Sequence, residues 1–291
     1  MDLRARYDFR REGDWDLWVL RGVWTEALWK EALEHLERER PADHPKTRRF
    51  FHPPGEQGTE IYLKIYYRSR PLAIVKDLCR DSKAFRALKQ GEALSRRGFH
   101  VPLAIAAGEE RKFHVLKRAF LLTAAIEGAP LPLFLGDRFL PPLNPTALRR
   151  KREQIRQLAL EIRRMHEDGF VHGDLVPTNI LARDEGDTVT FFYMDNDRTR
   201  RYPRWMPQGL WKRNLIQLNR FVLSGISLQD RMRFLRSYLG EKAWGEKEGR
   251  LLRWIEAKTR KRRRECDQVE AEVSFRELMR WNGHFTRNIH W

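Results

Sequence analysis

The texture of the chain changes at Gly128. Before it, β-prone runs alternate with two helical stretches; after it, apolar residues recur mostly at 3.6-residue spacing. Residues 14–20 form a short apolar stretch, and residues 25–40 carry Leu28, Ala32, Leu33 and Leu36 at helical spacing behind a Thr25 cap. Residues 47–51 and 59–67 are β-prone and separated by Pro53-Pro54-Gly55-Glu56-Gln57-Gly58, which predicts a hairpin with a wide turn. Alternation in the second run puts Ile61, Leu63 and Ile65 on one face and Tyr62, Lys64 and Tyr66 on the other. A helix over 82–97, closed by Gly98, and strand-like runs at 101–108 and 113–126 complete a sheet-plus-helix unit. Past Gly128, five prolines (130, 132, 141, 142 and 145) mark an irregular stretch. The spacing then predicts a helix over 146–168, burying Ile155, Leu158, Ala159, Ile162, Met165 and His166 and stopped by Gly169. Short β runs at 180–182 and 188–194 follow, and everything from Trp205 reads helical, including 227–239 and 246–264. The expected architecture is α+β in two parts: a β-rich lobe over 1–126 and a mostly helical lobe over 127–291, hinged near 123–128.

Composition narrows the partners. Against 40 Asp+Glu stand 57 Lys+Arg, a formal net charge of +17, so polyanions are the expected binding partners. Hydrophobic residues make up 41% of the chain, with ten Trp and sixteen Phe, which excludes wholesale disorder. Two cysteines, Cys79 and Cys266, exclude a disulfide framework or a Cys-rich metal site. The N-terminal sequence lacks the apolar core of a signal peptide, and no apolar run approaches the ~18 residues of a membrane-spanning helix. The expected location is the cytoplasm, free or peripheral on the inner face of the cytoplasmic membrane.

The sharpest local signal is Gly169-Phe170-Val171-His172-Gly173-Asp174-Leu175-Val176-Pro177-Thr178-Asn179, followed by Phe191-Phe192-Tyr193-Met194-Asp195-Asn196-Asp197. An Asp, an Asn five residues later and a second Asp at the end of an apolar strand suit phosphoryl transfer. One carboxylate orients the attacking hydroxyl and accepts its proton; an amide and another carboxylate hold Mg²⁺ on nucleotide phosphates. Asp174 is the candidate base, and Asn179 and Asp195 are the candidate metal ligands. Either motif alone also reads as an ordinary Asp/Asn/Gly turn; the ordered pair, with an apolar strand before Asp195, favours chemistry.

With these motifs the chain resembles the kinase-like superfamily, specifically the lipopolysaccharide core kinases that phosphorylate heptose or Kdo sugars. The resemblance runs over about residues 47–223 and is best over 165–197. His172-Gly173-Asp174 and Asn179 stand where protein kinases carry His-Arg-Asp and its Asn, and Asp195-Asn196-Asp197 replaces Asp-Phe-Gly. Gly173 in place of Arg removes the reader of a phosphorylated activation loop, so a sugar or small-molecule kinase fits better than a protein kinase. The resemblance implies a two-lobed protein-kinase-like fold, ATP and Mg²⁺ as cofactors, and a phosphate-binding lysine on the third strand, for which Lys64 is the candidate. It also implies a glutamate partner for that lysine. Glu92 is the candidate because it shares a helical stripe with Phe85 and Leu88, although a register matched from the helix start puts Ala84 in that slot. Adenine would bond to backbone in the 122–127 hinge, at Leu122 and Ala124. No Gly-x-Gly-x-x-Gly loop precedes Lys64, so something else covers the phosphates. Asp197 reads either as an aid to the metal or as a salt-bridge partner of Arg198 or Arg200.

Basic clusters occur at 149–152, 198–201 and 258–264. They read as solvated faces or as attraction to anionic lipid headgroups and phosphorylated core sugar; Trp205, Trp211 and Trp244 could sit at such an interface. The implied partners are a lipopolysaccharide or lipid A-core glycolipid and an anionic membrane surface. Two alternatives remain open: a soluble aminoglycoside- or choline-type phosphotransferase, whose usual acidic acceptor pocket sits poorly with +17, and a silent pseudokinase or nucleic-acid-binding scaffold. No nucleic-acid-binding motif is present, so no specific nucleic acid is expected.

Overall fold

The structure, a computed structural model, describes residues 3–39, 45–53, 58–67, 80–113, 115–186, 188–203, 208–223, 225–240 and 245–265. Cys79, Cys266, Trp205, Trp244 and most of the turn after Pro53 lie outside them. The chain divides into two compact units, Met1–Glu127 with Met194–Thr199, and Gly128–Tyr193 with Arg200–Trp291.

The first unit is built on one antiparallel sheet of six strands, β1 (Tyr7–Glu12), β2 (Trp15–Leu20), β3 (Lys46–His52), β4 (Thr59–Tyr67), β5 (Ala104–Lys112) and β6 (Val115–Ala124), in the order β1-β2-β5-β6-β4-β3. Helix α1 (Glu26–Arg38) starts at Thr25, whose hydroxyl accepts from Leu28 N at 3.1 Å, and α2 (Lys83–Ser95) starts at Ser82, which accepts from Phe85 N at 3.1 Å. The two helices cover opposite faces. Ile61, Leu63 and Ile65 of β4 pack with Leu28, Ala32 and Leu36 of α1, whereas Tyr66 packs with Ala84, Phe85 and Leu88 of α2. Burying an aliphatic side chain contributes roughly 1.5–3 kcal/mol. A one-residue slip of β4 would exchange three such side chains for Tyr62, Lys64 and Tyr66, so the alternation fixes which face Lys64 occupies.

Two differences from the sequence reading stand out. β1 went unread because Asp8, Arg10, Arg11 and Glu12 give an edge strand a polar surface. β5 runs on through Glu109-Glu110-Arg111-Lys112 instead of ending at Gly108, because β6 supplies cross-strand partners: Glu110 lies opposite Arg118 and forms an ion pair with it.

In the second unit, β7 (Ala129–Pro130) leads into α3 (Leu131–Arg138), and α4 (Pro145–Glu167) begins at Asn144, whose side chain accepts from Ala147 N at 2.8 Å. Beyond α4 come β8 (Phe170–Val171), β9 (Ile180–Asp184), β10 (Val189–Tyr193) and β11 (Arg200–Arg201). Strands β10-β9-β7 form one small sheet, and β11 pairs with β8. The rest is helical but interrupted: α5 (Trp211–Leu218), α6 (Leu228–Leu239), which opens on a Ser227/Asp230 capping box, and α7 (Glu246–Glu265). No helix among the described residues is long and apolar enough to cross a membrane.

Candidate active site

The first unit brings Lys64 and Asp195 together. They are 131 positions apart, yet Lys64 Nζ donates to Asp195 Oδ1 at 2.6 Å. Lys64 sits on β4, the fourth described strand and not the third, because the β1–β2 hairpin precedes α1. Asp195 caps a short 3₁₀ turn, Asn196–Arg198, and holds left-handed backbone angles (φ 58°, ψ 54°), a conformation Asp adopts more readily than most side chains. Asp197 is buried and forms no ion pair among the described residues; the expected bridge to Arg198 or Arg200 is not made. Burial, then the charge of Asp195, raise the Asp197 carboxyl above its ordinary value, against the opposing charges of Lys64, Arg198 and Lys83. Among the described residues the buried Tyr66 hydroxyl beside this pair has no hydrogen-bond partner, and burial followed by Asp195 and Asp197 hold it far above the ordinary phenol value.

These residues fit a cation. Two neighbouring carboxylates, one of them buried without an ion partner, favour an added positive charge, and carboxylate and amide oxygens are the hard donors Mg²⁺ takes. Among the described residues there is no cluster of three or more His, Cys, Asp or Glu side chains able to hold a metal alone.

Glu92 does not pair with Lys64. Its Oε1 accepts from Arg6 at 3.0 Å and from the Tyr7 hydroxyl at 3.0 Å, so the buried carboxylate is satisfied at the far end of α2. Eight residues of helix, about 12 Å at 1.5 Å each, separate it from Ala84, which is the residue that packs near Tyr66. The adenine expectation also changes. Leu122 lies inside the sheet between Leu63 and Ala106, and Ala124 N is spent on Leu103 O at 2.9 Å. Among the described residues, Ile126 and Glu127, beyond the end of β6, take part in no such backbone hydrogen bond.

The second unit positions Asp174 and Asn179 on one clamped loop. Asn179 Nδ2 donates to Asp174 O at 2.9 Å, which fixes the amide and leaves its oxygen out of that bond. Two amides of α5, not singled out from the sequence, hold the loop from below. Wholly buried Asn214 accepts from His172 N at 3.0 Å and donates to His172 O, closing both backbone groups of one residue. Gln217 Nε2 donates to Gly173 O at 3.1 Å and to Asp174 Oδ1 at 3.3 Å, leaving the other Asp174 oxygen open. Because the His172 contacts orient the Asn214 amide, His166 Nε2 must donate to Asn214 Oδ1 at 3.0 Å, and His166 Nδ1 accepts from Tyr238 at 2.8 Å. Burial, above all, lowers His166 to about 4, so it is neutral and holds this tautomer.

Residues 32–238, more than half of the chain, match the lipopolysaccharide kinase (Kdo/WaaP) family. The chain belongs to that family. This lipopolysaccharide kinase is 30% identical over 199 residues to 3-deoxy-D-manno-octulosonic acid kinase of Mannheimia succiniciproducens, a match spanning 65% of this chain and 74% of that enzyme. Among solved structures it resembles WaaP in complex with acyl carrier protein, with a TM-score of 0.61 at 22% identity, covering 84% of this chain and 98% of that one. That likeness establishes the α+β kinase-like fold. Family membership makes the protein a kinase whose acceptor is a sugar hydroxyl.

Proposed function

We propose that this lipopolysaccharide kinase transfers the γ-phosphoryl group of ATP to a hydroxyl of Kdo in the lipopolysaccharide inner core. The observation that carries the phosphoryl-transfer reading is the Lys64–Asp195 pair at 2.6 Å, assembled from residues 131 positions apart. The Mannheimia relative's name favours Kdo over heptose. Asp174, oriented by Gln217, accepts the proton of the sugar hydroxyl as that oxygen forms a bond to the γ-phosphorus and the bridging P–O bond breaks, releasing ADP. Lys64 serves the α- and β-phosphates. Mg²⁺, when bound, offsets phosphate charge; Asn179 and Asp195 are its proposed ligands, with Asp197 beside Asp195. Backbone at 126–127 takes the adenine in place of Leu122 and Ala124, and Glu92 has no part in the nucleotide site. In this reading residues 1–126 form the nucleotide-covering lobe and 127–291 the acceptor lobe, at the inner face of the cytoplasmic membrane.

The test is incubation with labelled ATP, Mg²⁺ and rough lipopolysaccharides of graded core length. Label should enter cores that end in Kdo, and chelating the metal should stop it. Asp174→Asn should lower transfer about 10²–10⁴-fold in a folded protein. Unchanged turnover in Asp174→Asn and in Asp195→Ala would overturn the assignment.

A further inference from the structure

The basic run 149–152 does not act as one patch. Arg150 bonds to Asp184 at 2.6 Å, and Lys151 turns inward to Asp230 at 2.5 Å. Arg149 and Arg152 remain exposed and form no ion pair among the described residues. Helices α4 and α6 lie side by side in the same direction: Lys151 meets Asp230 near their starts, and His166 meets Tyr238 near their ends. Between them runs an open trough lined by Arg149, Arg152 and Arg156 of α4 and by Arg233 and Arg236 of α6. Its one lining carboxylate, Glu153, pairs with Arg156 at 3.2 Å.

Arg233 is held by the buried Asp230 at 3.1 Å, so the uncompensated charge of the trough rests on Arg149 and Arg152 of α4, and the forked donors of such guanidinium groups match phosphate oxygens two at a time. Arg149 to Arg156 spans about 10 Å of helix, too long a row for one small anion and suited to several phosphates side by side. Leu160, one turn beyond Arg156, is 39% exposed and continues the stripe as an apolar residue. Phosphates bordering an apolar layer describe a lipid bilayer better than a nucleic acid.

We propose that the α4/α6 trough docks the enzyme on the anionic phospholipid headgroups of a bilayer, apart from the residues assigned to phosphoryl transfer. Only the link to a membrane-borne acceptor rests on the function proposed above; the docking can be measured without it. The full-length protein is sedimented with vesicles of phosphatidylcholine alone or mixed with phosphatidylglycerol, without lipopolysaccharide. It should bind the mixed vesicles and not the neutral ones. The triple variant Arg149→Gln/Arg152→Gln/Arg156→Gln should bind the mixed vesicles roughly a hundredfold more weakly, three arginines each contributing about fivefold near such a surface. A control with equal charge loss on α7, Arg253→Gln/Lys258→Gln/Lys261→Gln, should keep most of the binding, and melting curves should show all three proteins folded. Phosphorylation of a water-soluble Kdo acceptor should be unchanged in the triple variant; inactivity of the wild type towards it would count against the proposed function and leave the vesicle result standing. Equal loss in the control, undiminished binding by the trough variant, or wild-type binding to single-stranded nucleic acid or an acidic protein but not to anionic vesicles would each overturn the docking surface.

Discussion

Asn214 shows how much of the site depends on single buried amides. It satisfies both backbone groups of His172, two residues before the candidate base. Replacing it with Leu would leave a buried N–H and C=O unmet, at about 1–3 kcal/mol each. Asn214→Leu should therefore be less stable by about 2–6 kcal/mol in urea unfolding; an unchanged midpoint would refute the clamp. Gln217 holds the Gly173 carbonyl and the Leu175 N–H and adds one bond to the Asp174 carboxylate itself. Gln217→Leu should lower kcat about tenfold while leaving KM for ATP unchanged, because it disturbs orientation and not nucleotide binding. The signal for these residues was present in the sequence, as two amides three apart on one helix. What it could not reveal was that their partner is a loop some forty residues earlier. Glu92 failed for the converse reason: a buried carboxylate needs a cation, but the helical stripe does not say which one, and it is met by Arg6 in the turn before β1 and by Tyr7 at the start of that strand.

At the scale of elements, the joint between α4 and β8 is the most constrained. Gly169 has φ 85°, and a Cβ there would lie 2.3 Å from Tyr202 O, the residue whose N–H bonds to Gly169 O at 2.8 Å. Gly169→Ala has to accept left-handed strain of about 1–2 kcal/mol and push the neighbouring strand away. We expect a clearly lowered melting temperature together with reduced kinase activity, since β8 leads directly into the loop carrying Asp174. A variant as stable as wild type would show that the β8–β11 pairing does not hold that loop. Periodicity had already marked Gly169 as the stop of α4, and it placed the buried face of that helix correctly. It could not separate Arg149 and Arg152 from Arg150 and Lys151, because that division depends on where Asp184 and Asp230 lie.

At the scale of the whole molecule, two groups of α4 make stability depend on pH with opposite signs. Burial lowers His166 to about 4, so the unfolded chain binds the extra proton between about 4 and 6.5 and stability rises with pH through that window. Burial raises Glu161 to about 7, against the charge of Arg164. There the folded state holds the extra proton, and stability falls as pH rises from 4.5 to about 7. The two slopes oppose each other over 4.5–6.5. Glu161→Gln should thus gain stability over wild type progressively between pH 4.5 and 7, with a limiting slope of about 1.4 kcal/mol per pH unit for one proton, and hold a constant advantage above. A pH-independent difference in melting would refute the assignment.

The α+β order, the starts of the principal helices and the face of β4 that carries Lys64 are legible in the sequence, as are the residue types on which the proposed phosphoryl-transfer site rests. These follow from capping, alternation and helical period, which act over a few residues and leave their mark in any window of that length. Only the tertiary structure decided partnerships: Lys64 with Asp195, Glu92 with Arg6 and Tyr7, and the α5 amides with the loop of Asp174. It also decided which arginines of a run face outward. Such pairings join residues up to 131 positions apart. They are settled by how the strands and helices pack and by the need of each buried charge for a counter-charge, and neither is written in the spacing of nearby side chains.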